Sequence, residues 1–72
     1  MKLKRKDVKV GELLRSVCNI SLGTGVDIQY NCLYIVVNPT CWLVNNGIEV
    51  VCVATGMKFH ANARYFLKTD NF

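Results

Sequence analysis

The sequence predicts an all-β protein built around a single core, and three observations carry that prediction. Seventy-two residues leave room for one domain only. β-Branched and aromatic residues fall in short blocks between turn formers, and no long stretch repeats apolar residues at the helical i, i+3, i+4, i+7 spacing. Finally, Asn46-Gly47 stands between two β-rich runs, and both residues tolerate the positive φ that a type I′ hairpin turn demands. A composition of 51% hydrophobic and 19% charged residues is that of a folded chain rather than a disordered one.

Residues 1–9 form a basic arm. Lys2, Lys4, Arg5, Lys6 and Lys9 against Asp7 alone account for the whole net charge of +4. In residues 10–72 the charges cancel: Arg15, Lys58, Arg64 and Lys68 stand against Glu12, Asp27, Glu49 and Asp70. A short charged terminus is expected to be a solvated end that keeps a small domain soluble, although it can also hold phosphate.

After Gly11 lets the chain turn in, Glu12 to Leu22 reads as a strand with Leu14, Cys18, Ile20 and Leu22 on its dry parity. Gly23-Thr24-Gly25 opens a loop that reaches to about Gln29. Cys32 to Val37 is apolar on both parities, which suits a strand in the middle of a small closed sheet. Asn38-Pro39-Thr40 is expected to stop it, because Pro39 lacks the donor a ladder needs. Cys41 to Val44 reads as the next strand, Asn45-Asn46-Gly47 as the hairpin turn, and Ile48 to Ala54 as the returning strand. Thr55-Gly56 turns the chain into Met57 to His60, which alternates apolar and polar like a half-buried strand. Ala61 to Arg64 is long enough only for one 3-10 turn, and Tyr65 to Lys68 closes the domain as a last strand.

No apolar run approaches the ~18–20 residues of a membrane span, and the basic start runs into Asp7 and Lys9 instead of an apolar signal segment. Membrane insertion and export are therefore not expected. Cys18, Cys32, Cys41 and Cys52 would allow three pairings in a secreted chain, but each lies in an apolar run where a thiol packs as a small hydrophobe. Their separations lack the tight C-x₂₋₄-C knuckle of structural zinc sites, so no metal or cofactor is expected.

Catalysis needs a nucleophile beside a base that a third group orients. His60, the single histidine, lies on the polar parity of its strand, the carboxylates are scattered singly, and Gly23-Thr24-Gly25 lacks the GK[ST] ending of a phosphate-binding loop. The expectation is a non-enzymatic protein. A barrel this small needs most of its aromatics as filling, so a binding surface must come from those near loops. The candidate partner-binding residues are Tyr30, Tyr34, Trp42 and Asn46. An alternative is a nucleic-acid-binding module in which Lys2, Lys4, Arg5, Lys6 and Lys9 hold phosphates. Lys58, His60, Arg64 and Lys68 are a further basic group that the closing strands could cluster. An unpaired apolar strand at Cys41 to Val44 would recruit a strand from a second copy, giving a homodimer, or from a host protein.

The order of elements resembles an SH3-like small barrel. More narrowly, the chain is similar to short uncharacterised proteins of bacteriophages and mobile elements. In these, "VGxxV" opens the domain, "YxV" begins the second strand, and an aromatic-x-Ala-x-x-Arg-aromatic segment ends it. The matching stretches are Val10-Gly11-Glu12-Leu13-Leu14, Tyr34-Ile35-Val36 and Phe59-His60-Ala61-Asn62-Ala63-Arg64-Tyr65-Phe66. The resemblance implies a five-stranded SH3-like barrel over residues 10–68, between the arm of 1–9 and a tail of 69–72, with a short 3-10 turn before the last strand. It also implies an accessory or inhibitor protein, cytoplasmic in a bacterial host, that binds a host protein. SH3-type domains hold extended peptides between their long first loop and a hairpin loop, here Gly23 to Gln29 and Asn45 to Gly47.

Overall fold

The computed structural model describes residues 3–21 and 27–69. Among the described residues there are seven strands: β1 (Leu13–Ser16), β2 (Ile20–Ser21), β3 (Asp27–Ile28), β4 (Leu33–Cys41), β5 (Gly47–Cys52), β6 (Lys58–Asn62) and β7 (Phe66–Lys68). Five of them form one antiparallel sheet in the order β6-β5-β4-β1-β7, while β2 and β3 pair separately. The sheet is not closed, so β6 and β7 are its edges. Single 3-10 turns lie at Arg5–Asp7 and, just before the last strand, at Ala63–Tyr65. The all-β expectation holds. No described helix is long and apolar enough to cross a membrane.

Strand alternation makes the core. Leu14 and Ser16 of β1, Tyr34 and Val36 of β4, Ile48 and Val50 of β5, Phe59 and Ala61 of β6 and Phe66 of β7 all turn to one side of the sheet. Tyr34 is the hub, meeting Phe59 and Phe66 edge-on at centroid separations of 5.9 and 5.5 Å. Such edge-to-face pairs add about 0.5–1.5 kcal/mol beyond the area they bury. Ile28 of β3 and Leu3 and Val8 of the N-terminal segment join the same cluster. The buried Ser16 hydroxyl accepts from the Cys32 N–H and bonds the Gln29 carbonyl, which satisfies it inside the core.

Four local expectations are corrected. The first strand does not run from Glu12 to Leu22: it ends at Ser16, and the chain pairs again only at Ile20–Ser21. Pro39 does not end β4, which continues to Cys41 across two register shifts. Those shifts leave Pro39 out of the ladder, the place where a missing donor costs nothing, and the Asn38 side chain accepts from the Thr40 N–H at 2.9 Å. Trp42 to Val44 is a turn rather than a strand, and Cys41 already pairs with Gly47, so no edge strand exists there to recruit a second copy. Asn46-Gly47 is not a two-residue type I′ turn, since Asn46 has φ 52° while Gly47 does not take positive φ and begins β5.

The basic segment is docked on the body from Leu3 onward, because Leu3 and Val8 are buried while Lys4, Lys6 and Lys9 remain exposed. Lys2, Leu22, Gly23-Thr24-Gly25 and residues 70–72 lie outside the described residues.

Candidate functional site

The β4–β5 connection is built from the backbone outward. The Cys41–Gly47 pair closes it, and a Cβ on Gly47 would lie 2.6 Å from the carbonyl oxygens of Cys41 and Val44. Only glycine permits that approach. A turn held this tightly cannot point its consecutive residues inward, and Trp42 and Leu43 stand 84% and 78% exposed.

Asn46 ties this turn to the N-terminal segment. Its side-chain oxygen accepts from the Arg5 N–H at 2.9 Å, and its amide donates to the Leu3 carbonyl at 3.2 Å and to Asn62 Oδ1 at 2.9 Å. The side chain thus pairs with the segment much as an adjoining strand would. The consequence is placement of Arg5: its guanidinium carbon lies 4.7 Å from the centroid of the Trp42 ring. A cation over an indole face at this range is attractive by about 0.5–1 kcal/mol at an exposed site.

Electrostatics distinguish this end from the rest of the molecule. Asp7 accepts from the Lys4 N–H at 2.9 Å and closes the first 3-10 turn. Among the described residues the ion pairs lie elsewhere, Glu49 with Lys58 and His60 and Glu12 with Lys68. The surface around Trp42 and Leu43 is therefore apolar at its tip and cationic at its side, where Arg5 and the exposed Lys4 and Lys6 belong to one segment.

Two candidate residues of the aromatic surface are not part of it. Tyr34 is 1% exposed and belongs to the core, where its hydroxyl accepts from the Gln29 N–H at 3.3 Å. Burial first of all holds its phenol above the ordinary pKa of 10.0, opposed in part by that hydrogen bond. Tyr30 is 58% exposed, but it precedes the nine-residue β4 that Trp42 follows. The two residues therefore stand beyond opposite ends of that strand. Asn46 is half-buried and acts through its grip on the segment.

Lys58 and His60 lie on β6 and Lys68 on β7, the two edges of the sheet, and each group is neutralised by its own glutamate. Arg64 stacks on Tyr65 at 5.1 Å. These four do not make one basic face. The cysteines are free thiols, with Cys41 and Cys52 buried. Burial works against the Cys52 thiolate, yet hydrogen bonds from Thr55 and the Ala54 backbone bring its pKa below the ordinary value. Among the described residues no group of His, Cys, Asp and Glu is arranged to hold a metal ion.

Leu43 is the surface residue that sequence reasoning missed, since it was expected on a strand. The available signal was a pair of large apolar residues side by side at the end of a β run, which a turn leaves outside together. No protein-family model, curated protein or solved structure matches the chain.

Proposed function

We propose that the protein is a non-enzymatic binding module with an SH3-like barrel, a phage-derived accessory or inhibitor acting in the cytoplasm of a bacterial host. It binds a host protein through the Trp42-Leu43 tip and the adjoining Arg5. The observation that carries this reading is the nearly complete exposure of Trp42, at 84%, on a turn held rigid by Gly47 and Asn46. Trp and Arg are the residue types in which binding energy concentrates at protein interfaces, and a preorganised anchor loses little entropy on binding. The strand order β6-β5-β4-β1-β7, with a 3-10 turn before the last strand, supports the SH3-like part of the reading. The partner surface that fits is an apolar pocket with an acidic rim.

Arg5 beside Trp42, on a segment bearing Lys4 and Lys6, also favours a second reading in which this end holds nucleic acid. Single-stranded nucleic acid is held by successive bases on several aromatics, whereas here Arg5 covers one face of a lone exposed indole and Tyr30 lies at the other end of β4. The protein reading is the better supported. Affinity capture from bacterial lysate separates the two, using wild type and Trp42→Ala with and without nuclease. A stoichiometric protein retained through nuclease treatment and lost in the variant upholds the proposal. A nuclease-sensitive mixture whose retention falls steeply with salt replaces it with the second reading.

A further inference from the structure

We infer that Arg5 determines the specificity of the Trp42 end, resting on the protein-binding reading above, and that its guanidinium takes one carboxylate from an Asp or Glu side chain of the partner. Elsewhere on the body the cations have company. Lys58 and His60 share Glu49, Lys68 meets Glu12, and Arg64 bonds to and stacks on Tyr65. Arg5 differs. Its backbone N–H is held by Asn46 and its guanidinium lies against Trp42, but among the described residues nothing accepts from the guanidinium, and Nη1 is shut off from solvent. The carboxylate nearest in sequence, Asp7, accepts from the Lys4 N–H instead. A cationic donor stripped of water and given no acceptor is unfavourably placed, and an incoming anion relieves it with part of the desolvation already done. Arg5 as a whole is only half-buried, which leaves it open to such an anion.

The surroundings of Arg5 select a carboxylate among anions. Only Arg5 is fixed by stacking, while Lys4 and Lys6 are exposed. Lys6 follows Arg5 in a 3-10 turn, which rotates successive residues by about 120°, so the two side chains leave the turn in different directions. A single oriented guanidinium matches a planar, singly charged carboxylate through two parallel hydrogen bonds, whereas a phosphate calls on several cations at once. Beside it stand Trp42 and Leu43, so the carboxylate that fits is carried on an alkyl stem next to apolar surface. A partner that offers a neutral or basic group at this point leaves Arg5 uncompensated and is rejected.

The probes that test this are isovalerate, a carboxylate on a branched alkyl stem, its neutral amide isovaleramide, and inorganic phosphate, each titrated into the full chain at constant ionic strength. Binding is read by NMR at the Trp42 indole N–H. Isovalerate is expected to bind with a Kd on the order of 10 mM, ordinary for so few atoms, and at least about tenfold more tightly than its amide. Arg5→Gln and Arg5→Lys should each remove that preference, the lysine because it keeps the charge and loses the fork, and Lys6→Gln should keep it. Circular dichroism verifies that each variant is folded, and Arg5→Lys decides the matter if the glutamine prevents folding. Amide bound as tightly as carboxylate, or a preference that survives both Arg5 variants, overturns the inference. Phosphate bound more tightly than isovalerate overturns it in favour of nucleic acid. An isovalerate site that depends on Arg5, in a protein whose lysate capture yields nothing dependent on Trp42, upholds the carboxylate site and removes only the protein-binding reading.

Discussion

The guanidinium of Arg5 sits 4.7 Å from the centroid of the Trp42 ring, although the two residues come from a terminal segment and from the turn after β4. Asn46 produces the juxtaposition by holding the backbone on both sides of Lys4, at the Leu3 carbonyl and the Arg5 N–H. A residue within the turn thereby assembles a surface from two distant stretches of chain.

Asn46→Ala should lower stability by about 1–3 kcal/mol, since it strands the Arg5 N–H and Leu3 carbonyl and puts a β-carbon residue without side-chain compensation at φ 52°. The segment should loosen before the sheet does. Limited trypsinolysis is expected to cut at Lys4, Arg5 and Lys6 much faster in the variant than in wild type, and equal rates would show that Asn46 does not hold the segment.

Gly47→Ala should be among the most damaging single substitutions, because the added methyl meets two backbone carbonyl oxygens at 2.6 Å that cannot move aside. A loss of about 1–3 kcal/mol or more is expected in chemical denaturation. Gly56→Ala is the comparison: its φ of +75° is strained for alanine, but nothing lies within 4 Å of the new methyl, so the loss should be smaller.

Much of this was legible in the sequence, and the rest was hidden for physical reasons. Short β-rich blocks and a 3-10 turn before the last strand follow from local pattern, and both are present. Asn46-Gly47 was legible as a bend but not as a device. Its asparagine takes positive φ in order to grip residues 3–5, and its glycine is needed for a close backbone approach, neither of which a dipeptide preference encodes. Burial of Leu3 and Val8 was masked by the charge around them. The two apolar parities of Cys32 to Val37 suggested a strand inside a closed sheet, whereas the sheet is open and the outward parity faces solvent. Tyr34 and Trp42 looked equivalent as aromatics near a turn, and only strand parity against turn position separates core from surface.

Tyr34 contributes to the loss of stability at alkaline pH. Because burial raises its folded-state pKa above 10.0, the folded protein keeps the phenol proton after the unfolded chain has released it. That contribution is whole below pH 10.0 and is lost as pH rises through the folded-state value. Tyr34→Phe should cost about 1 kcal/mol near neutrality, from the lost Gln29 hydrogen bond, and should flatten the alkaline limb of a melting-temperature profile. An unchanged limb would assign the alkaline loss to other groups.

Trp42→Ala should leave the melt nearly unchanged, with a loss under about 1 kcal/mol that corresponds to the Arg5 contact alone. Unfolding of the variant would place the indole in the core, against its 84% exposure.

Trp42, the proposed contact point for a protein partner, is the chain's single tryptophan and so reports on its own surroundings. The measurement is quenching of Trp42 fluorescence by acrylamide, made on the free protein and after addition of a captured partner lacking tryptophan. The indole is expected to be freely quenched in the isolated protein and shielded, with blue-shifted emission, once the partner is bound. Quenching and emission that stay unchanged at saturating partner would contradict it and move the binding surface away from the β4–β5 turn.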